Sequence, residues 1–272
     1  MYRFFIFFGY FEWMLHLIVT GQIDKYVNIH YRYLIYMTLV LSFFFAIAQL
    51  MIWTKELRNK KNKLISFNHL KQFLVYSIIA LPFLTGFLLP NTGLDSQIVS
   101  TKGFSFPLSK ESVGDPYFET QYLAPDTSMY FNQTVYKERM EKELNKYKNL
   151  DTIHIKEDNY LEVMELIYDF PHSFTNKRIS LEGFNYNMEK DKQSYEFIFR
   201  FGIVHCIADA GVYGIYMKGI SRNYKNNEWL YTEGTISQTY FAPLKRELPV
   251  LFVNKTKKIN KPINEYVYLN DV

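Results

Sequence analysis

Hydrophobic residues form three long runs near the start of the chain, before any regular alternation with polar residues begins. The runs comprise residues 4–19, 33–53 and 73–89, which are 16, 21 and 17 residues long. A helix that crosses a membrane needs ~20 predominantly apolar residues, within a range of about 17–25. The pattern therefore predicts an α-helical transmembrane region over residues 1–90, with about three spans at about 2–20, 33–53 and 73–89.

The first run differs from the others because two ionisable residues interrupt it. Glu12 and His16 are four residues apart, so they share one face of a helix. Ionisable side chains at membrane depth are costly and usually face a protein interior. We interpret the two residues as candidates for an intramembrane polar contact with a partner helix. A mutually satisfied pair and direct ion coordination are the alternatives.

Basic residues are concentrated between the second and third runs. Residues 54–71 carry six Lys or Arg against one Glu, whereas residues 20–32 carry two basic residues and one acidic residue. Short loops rich in Lys and Arg stay in the cytoplasm. We therefore expect a multi-pass protein of the cell membrane whose chain lies outside after Pro90. A cleaved signal peptide is the alternative for the first run, but the large residues at its end favour a retained span.

From residue 151 onward, short segments alternate hydrophobic and polar residues, as half-buried strands do. Five of them are "KRISLEGFNY", "YEFIFRFGIV", "VYGIYM", "WLYTEGTIS" and "PVLFVNKTKKI", and an amphipathic helix is predicted before them over 157–169. The pattern predicts an α+β or all-β extracytoplasmic domain over residues 151–272. An OB-like small β-barrel is the favoured fold, and a β-sandwich is the alternative. Residues 91–150 are expected to form an extracytoplasmic linker with an exposed polar helix at about 133–148.

Charge and motifs exclude several classes of function. The net charge of +4 comes from residues 1–72, which carry +6, whereas residues 151–272 carry −1. Because the C-terminal domain lacks a basic surface, we predict no binding to nucleic acid. The chain contains no Ser–His–Asp signature, Walker loop, dinucleotide fingerprint or HExxH motif. We therefore predict that the protein is not an enzyme.

The single cysteine lies in the most unusual short segment of the predicted barrel. Cys206 follows His205, and Asp209 comes three residues later. These ligand types make the three residues a candidate site for a metal or another ligand, and a divalent metal is the one cofactor candidate. Neighbouring residues of a strand face opposite ways, so a shared site requires the strand to end there. The alternatives are a reactive thiol, or a buried Cys206 with Asp209 capping the next turn.

Three stretches resemble one family. They are "HLIVTGQIDKYVN", the exit from the third run with Pro90, Leu94, Asp95, Ser96, Lys102 and Gly103, and the "RISLEGFNY…FIFRFGIVHCIADAGVYGI" segment. Together they resemble the YcgQ-type family of permease-associated membrane proteins of unknown function. The resemblance implies membrane spans, a C-terminal β-barrel and a larger multi-span permease as partner. Relatives commonly carry a Cys–Cys pair where this chain has His205 and Cys206.

These observations favour an accessory subunit of a membrane transport system. Its spans would pack on a partner permease and on membrane lipid, and its external barrel would bind or gate the substrate, with a metal ion as one candidate. A membrane-tethered extracytoplasmic binding or sensing module is the first alternative. A membrane-anchored enzyme that depends on its thiol is the second.

Overall fold

The computed structural model of the chain describes residues 2–58, 69–88, 93–102, 133–190, 193–220 and 223–269. The chain divides into two compact units, Met1–Gly93 and Leu94–Val272. Much of the basic loop predicted between the second and third runs lies outside the described residues, and so does the central part of the predicted linker.

Three long helices form the described part of the first unit: α1 (Tyr2–Val19), α2 (Arg32–Arg58) and α3 (His69–Leu88). Two segments, residues 2–19 and 29–58, are long and apolar enough to cross a membrane. The apolar part of α3, Phe73–Gly86, is shorter. Two of the three predicted spans therefore have the length and composition of a membrane helix.

An ion pair holds the connection between α1 and α2. The connection contains two 3-10 turns, Gln22–Lys25 and Ile29–Tyr31. The Arg32 guanidinium donates to both carboxylate oxygens of Asp24, and the Nε–Oδ1 distance is 2.8 Å. Because a bidentate pair fixes the relative orientation of its two groups, it sets where α2 begins with respect to the turn.

Helix α1 packs against α2 through phenylalanine rings. The centroids of the Phe7 and Phe45 rings are 5.4 Å apart, and those of Phe11 and Phe43 are also 5.4 Å apart. Separations in this range are typical of favourable aromatic pairs. The two contacts place successive turns of α1 against α2, with the helices running in opposite directions.

A different side of α1 packs against α3. The Trp13 ring lies so close to Gly86 that an added Cβ would come within 2.6 Å of it. The Tyr10 hydroxyl donates to the Ile79 carbonyl at 2.8 Å. This carbonyl lies in the turn before Pro82, the proline inside α3. The contact joins α1 to α3 through a side-chain hydroxyl and a backbone carbonyl.

The described part of the second unit is built on a seven-stranded sheet. The strands are β1 (Thr152–His154), β2 (Arg178–Lys190), β3 (Gln193–Ile203), β4 (Gly211–Lys218), β5 (Trp229–Phe241), β6 (Arg246–Lys258) and β7 (Tyr266–Tyr268). Their order is β1-β2-β5-β6-β4-β3-β7, and β2 also pairs with β3. This extra pairing closes five strands into a barrel-like sheet, rather than the two sheets of a sandwich.

Most of the described helices of the second unit cover one face of this sheet. The second unit contains α4 (Ser96–Lys102), α5 (Gln133–Lys148), α6 (Tyr160–Asp169) and α7 (Pro171–Phe174). Most of α6 is buried, and its side chains pack with Ile198, Ile215 and Leu230 of the sheet. We call this packed region the helix-side core.

The other face of the sheet carries the aromatic core. Its aromatic members are Phe184, Tyr186, Tyr195, Phe197, Phe199, Phe201, Tyr216, Trp229, Phe241 and Tyr266. Within it the rings of Phe197 and Phe199 stack at 5.2 Å between centroids, and those of Phe184 and Phe201 at 5.3 Å. Because side chains alternate along a strand, β3 supplies Phe197 to this core and Ile198 to the helix-side core.

Helix α4 belongs to the aromatic core. Val99 is 1% exposed and packs within it. The Leu94 amide donates to the Tyr266 hydroxyl at 2.9 Å, and the Ser96 amide donates to Asn227 Oδ1 at 2.8 Å. The segment that directly follows the membrane region is therefore fixed to the barrel.

Helix α5 packs on the helix-side core, although its sequence is mostly polar. Met140 is 3% exposed and lies in this core, with Leu144 and Tyr147 partly buried against it. Lys177 Nζ donates to the carbonyls of Tyr147, Lys148 and Leu150 at 3.2, 2.8 and 2.5 Å. A cation at the C-terminal end of a helix satisfies free carbonyls and interacts favourably with the helix dipole.

The closest approach between strands predicts a steric requirement for glycine. A Cβ on Gly214 would lie 1.9 Å from the Ile198 carbonyl oxygen of the paired strand. We expect Gly214→Ala to lower the free energy of unfolding by about 2–3 kcal/mol, because the strands must move apart. Urea unfolding of the full-length protein in detergent, followed by near-ultraviolet circular dichroism, measures the change.

Gly211→Ala is the matched control in the same strand, because its Cβ would meet only the Tyr213 ring, at 3.1 Å. We expect a loss of at most about 1 kcal/mol there. Equal losses for the two variants would contradict the steric explanation.

Candidate functional site

The candidate site lies where β3 ends and the chain turns into β4. Strand β3 ends at Ile203, and a 3-10 turn follows at Ile207–Asp209. The strand end that a shared His–Cys–Asp site requires is therefore present. Because the regular strand ends before them, the strict alternation of β3 does not extend to His205 and Cys206.

The Asp209 carboxylate organises this turn. It accepts from the His205 amide at 3.0 and 3.2 Å and from the Cys206 amide at 3.1 Å. Its Oδ2 also lies 3.0 Å from His205 Nδ1. A short acidic side chain that accepts from nearby backbone amides stabilises a turn by satisfying their donors. Asp209 thus caps this turn, whereas Cys206, which the same alternative expected to be buried, is half-buried.

The turn can present only a few ligand atoms. The His205 side chain is 58% exposed, whereas that of Asp209 is 23% exposed, and Cys206 is half-buried. A carboxylate at Nδ1 orients an imidazole, as in many metal sites. Within the described ranges, however, no three His, Cys, Asp or Glu side chains are grouped to hold a metal ion. A metal here would need further ligands from solvent or a partner.

A tyrosine close to the turn is held neutral. Burial raises the pKa of Tyr213 to about 12, and the carboxylates of Glu165 and Asp209 add to this shift. A phenol with such a pKa stays protonated at neutral pH. Tyr213 therefore packs beside the turn as a neutral group and supplies no base to it.

Arg200 is a buried charge that the sequence analysis did not identify. It is 2% exposed, and its guanidinium carbon lies 5.8 Å from the centroid of the Tyr160 ring and 5.4 Å from that of Trp229. Its Nη2 donates to Glu157 Oε1 at 3.2 Å and to the Asn264 carbonyl at 2.5 Å. These contacts join β3 to the turn before α6 and to the segment before β7. The sequence pattern could have indicated this burial, because Arg200 lies two residues after Ile198 in a strand whose other residues are mostly apolar.

A small cleft opens between the end of α6 and the β5–β6 hairpin. Its lining residues are Tyr168, Pro171, Gln238, Arg246, Glu247, Leu248 and Pro249, and its volume is ≈ 80 Å³. Pockets for small organic ligands usually measure about 300–1,000 Å³. The cleft is therefore too small to hold a ligand of that size as it stands.

The two candidate residues of the membrane unit lie on α1 and are both exposed. Among the residues that the structure describes, Glu12 has no hydrogen bond or ion pair. The structure thus places Glu12 and His16 on one face of α1 and joins His205, Cys206 and Asp209 in one turn. The two sets belong to different compact units.

Comparison with known families gives a match across both units. The DUF1980 N-terminal domain matches residues 2–105, and the DUF1980 C-terminal domain matches residues 130–269. The chain belongs to the DUF1980 family. This membership confirms the resemblance to the YcgQ-type family that the sequence motifs indicated.

Two relatives match along nearly their full length. The chain is 44% identical to a Streptococcus mutans serotype c protein named "Putative two-component membrane permease complex subunit", over 98% of this chain and 99% of that protein. It is 33% identical to a Bacillus subtilis protein named "UPF0703 protein YcgQ", with the same shares covered. No solved structure matches the chain.

The capping geometry makes a prediction for Asp209. We expect Asp209→Ala to lower the free energy of unfolding by about 1 kcal/mol, because two backbone amides lose their acceptor. Asp209→Asn keeps one acceptor oxygen and should lose less. Thermal unfolding of the full-length protein in detergent measures both changes.

Cys206→Ser is the control, since it leaves the backbone contacts of Asp209 in place. A role in metal binding would give another result. Added Zn²⁺ would then raise the unfolding temperature of the wild type but not of His205→Ala, because a ligand stabilises only the state that binds it.

Proposed function

We propose that this DUF1980 protein is a non-enzymatic accessory subunit of a two-component membrane transport complex. Its helices would pack on a multi-span permease, and its barrel would lie outside the membrane and bind or gate the substrate. The observation that carries this proposal is the end-to-end likeness to a relative named as a subunit of such a complex. Because the likeness covers both units, it favours one shared role over a common membrane anchor alone.

We propose that the membrane region contains three spans, with α3 as the third. The basic residues of 54–71 would remain in the cytoplasm, as the positive-inside rule requires. The N-terminus would then be cytoplasmic, and the chain would be outside from the end of α3. The shorter apolar part of α3 suits a helix that packs against protein, since Trp13 and Tyr10 of α1 contact it.

We further propose that the barrel is OB-like. Strands β2, β3 and β4 form an antiparallel meander, and β6 pairs in parallel with β4. Strand β5 lies between β6 and β2 and is antiparallel to both. This connectivity supports the proposal, because an OB fold is a five-stranded Greek-key barrel.

For the substrate or ligand of the barrel, we propose a metal ion, because the contact between Asp209 and His205 favours it. The Asp209 carboxylate orients His205 as carboxylates orient metal-binding imidazoles. Under this proposal the turn would offer His205 Nε2 and the Cys206 thiol, and the permease would complete the site.

Purification of the full-length protein from membranes tests the complex. We expect a tagged copy, extracted in mild detergent, to retain one multi-span membrane protein in near-stoichiometric amount, identified by mass spectrometry. Metal analysis of the same sample tests the metal candidate. An untagged strain is the control, and a monomer that retains no membrane protein would contradict the proposed function.

Protease treatment of intact cells tests the orientation. We expect added protease to cleave the chain after Pro90, because that part would lie outside, and to spare residues 54–71. Lysed cells, in which both segments are accessible, provide the control. Protection of residues 91–272 in intact cells would reverse the proposed orientation.

A further inference from the structure

The surface of helix α1 can be divided into three sides, and other helices of its own unit pack against two of them. Phe7 and Phe11 face α2, whereas Tyr10 and Trp13 face α3. The third side is exposed and consists of Phe5, Phe8, Glu12, His16 and Val19, and at its start the Phe5 ring also lies 6.4 Å from that of Trp53 on α2. Their spacing of three, four, four and three residues forms one stripe on a helix. We call this stripe the outward face.

The outward face holds the one acidic residue of the three apolar segments. Residues 33–54 and 72–88 contain no Asp or Glu, and α1 contains only Glu12. Glu12 lies seven residues before Val19, or about 10 Å inside that end of the helix at 1.5 Å per residue. Within the described part of the chain, its carboxyl group has no hydrogen bond or ion pair.

Contact between the outward face and lipid is unfavourable. A carboxyl group at membrane depth is costly in hydrocarbon and usually faces another protein group or a water-filled cavity. Tyr10 is another polar residue of the same helix, and it has a partner within the unit: its hydroxyl donates to the Ile79 carbonyl. Among the described residues, Glu12 points away from both neighbouring helices, and this placement favours a partner from another chain.

A second copy of this chain fits the outward face poorly. Two copies inserted in the same direction can meet only about an axis along the membrane normal. Glu12 of one copy would then face Glu12 of the other at the same depth. Two ionised carboxylates at that distance would repel each other. A different helix, with a hydrogen-bond donor at this depth, meets the requirement without that cost.

We infer that the outward face of α1 binds a membrane helix of the permease. That helix would present Arg, Lys or a hydroxyl or amide donor to Glu12, and small or apolar residues to Phe5 and Phe8. The inference rests on the proposed function and adds to it the contact surface and the chemistry of the partner. Hydrogen bonds between membrane helices contribute enough to change association measurably.

Site-directed crosslinking tests the surface. In a Cys206→Ser background, which removes the single native thiol, a photoreactive maleimide is attached to Phe8→Cys or to Phe44→Cys. Phe44 is 60% exposed on α2, and its neighbours Phe43 and Phe45 contact α1, so it lies at a similar depth on a different surface. We expect several-fold more adduct with the permease from Phe8→Cys.

Equal adducts from the two positions would overturn the inference. A dominant adduct between two copies of this chain would also overturn it and would assign the outward face to a homodimer.

Substitution of Glu12 tests the chemistry. We expect Glu12→Leu to reduce the permease that co-purifies by about three- to tenfold, as the loss of one interhelical hydrogen bond predicts. Glu12→Gln keeps hydrogen-bonding atoms and should lose less, and Phe44→Leu should lose nothing. Immunoblots of membranes confirm that each variant is inserted in equal amount.

The outcomes separate the two proposals. If the wild type retains no permease, the proposed function fails. If the wild type and Glu12→Leu retain it equally, the accessory-subunit proposal stands and the assignment of the outward face fails.

Discussion

Both faces of strand β3 are buried, and the second unit is arranged around that constraint. A strand that is apolar on both faces has to be covered twice. Helix α6 and its neighbours cover the face with Ile198, whereas aromatic side chains and Val99 cover the face with Phe197 and Phe199. Arg200 is the polar exception on the first face, and two rings, a carboxylate and a carbonyl surround its guanidinium.

In the first unit, polar side chains among apolar helices need hydrogen-bond partners from other protein groups. The Tyr10 hydroxyl meets the Ile79 carbonyl, and Arg3 Nε donates to the Tyr76 hydroxyl at 2.9 Å. Both contacts join α1 to α3, so the polar groups of these helices also hold them together. Among the described residues Glu12 departs from this arrangement, and the proposed contact with a permease helix rests on that departure.

Sequence patterns predicted the elements whose periodicity is strong. The alternation in "YEFIFRFGIV" predicts β3, and the number of such segments predicts a five-stranded barrel-like sheet. Helix α4 escaped prediction because seven residues carry too little periodicity, and its burial depends on distant aromatic residues. Composition made α5 look fully solvated, since Met140, Leu144 and Tyr147 are a minority of its residues.

For the candidate site, sequence proximity identified His205, Cys206 and Asp209, but only the turn geometry revealed that Asp209 binds backbone amides.

The placement of α4 bears on the choice between an accessory subunit and a tethered sensor. A sensor on a flexible tether would have its long connection between the membrane and the folded domain. Here Leu94 and Ser96 already bind the barrel, six and eight residues after α3 ends at Leu88. The long segment 103–132 comes after α4, so it connects two parts of one domain. The long connection therefore lies within the second unit rather than before it, which is not the arrangement expected of a sensor on a flexible tether.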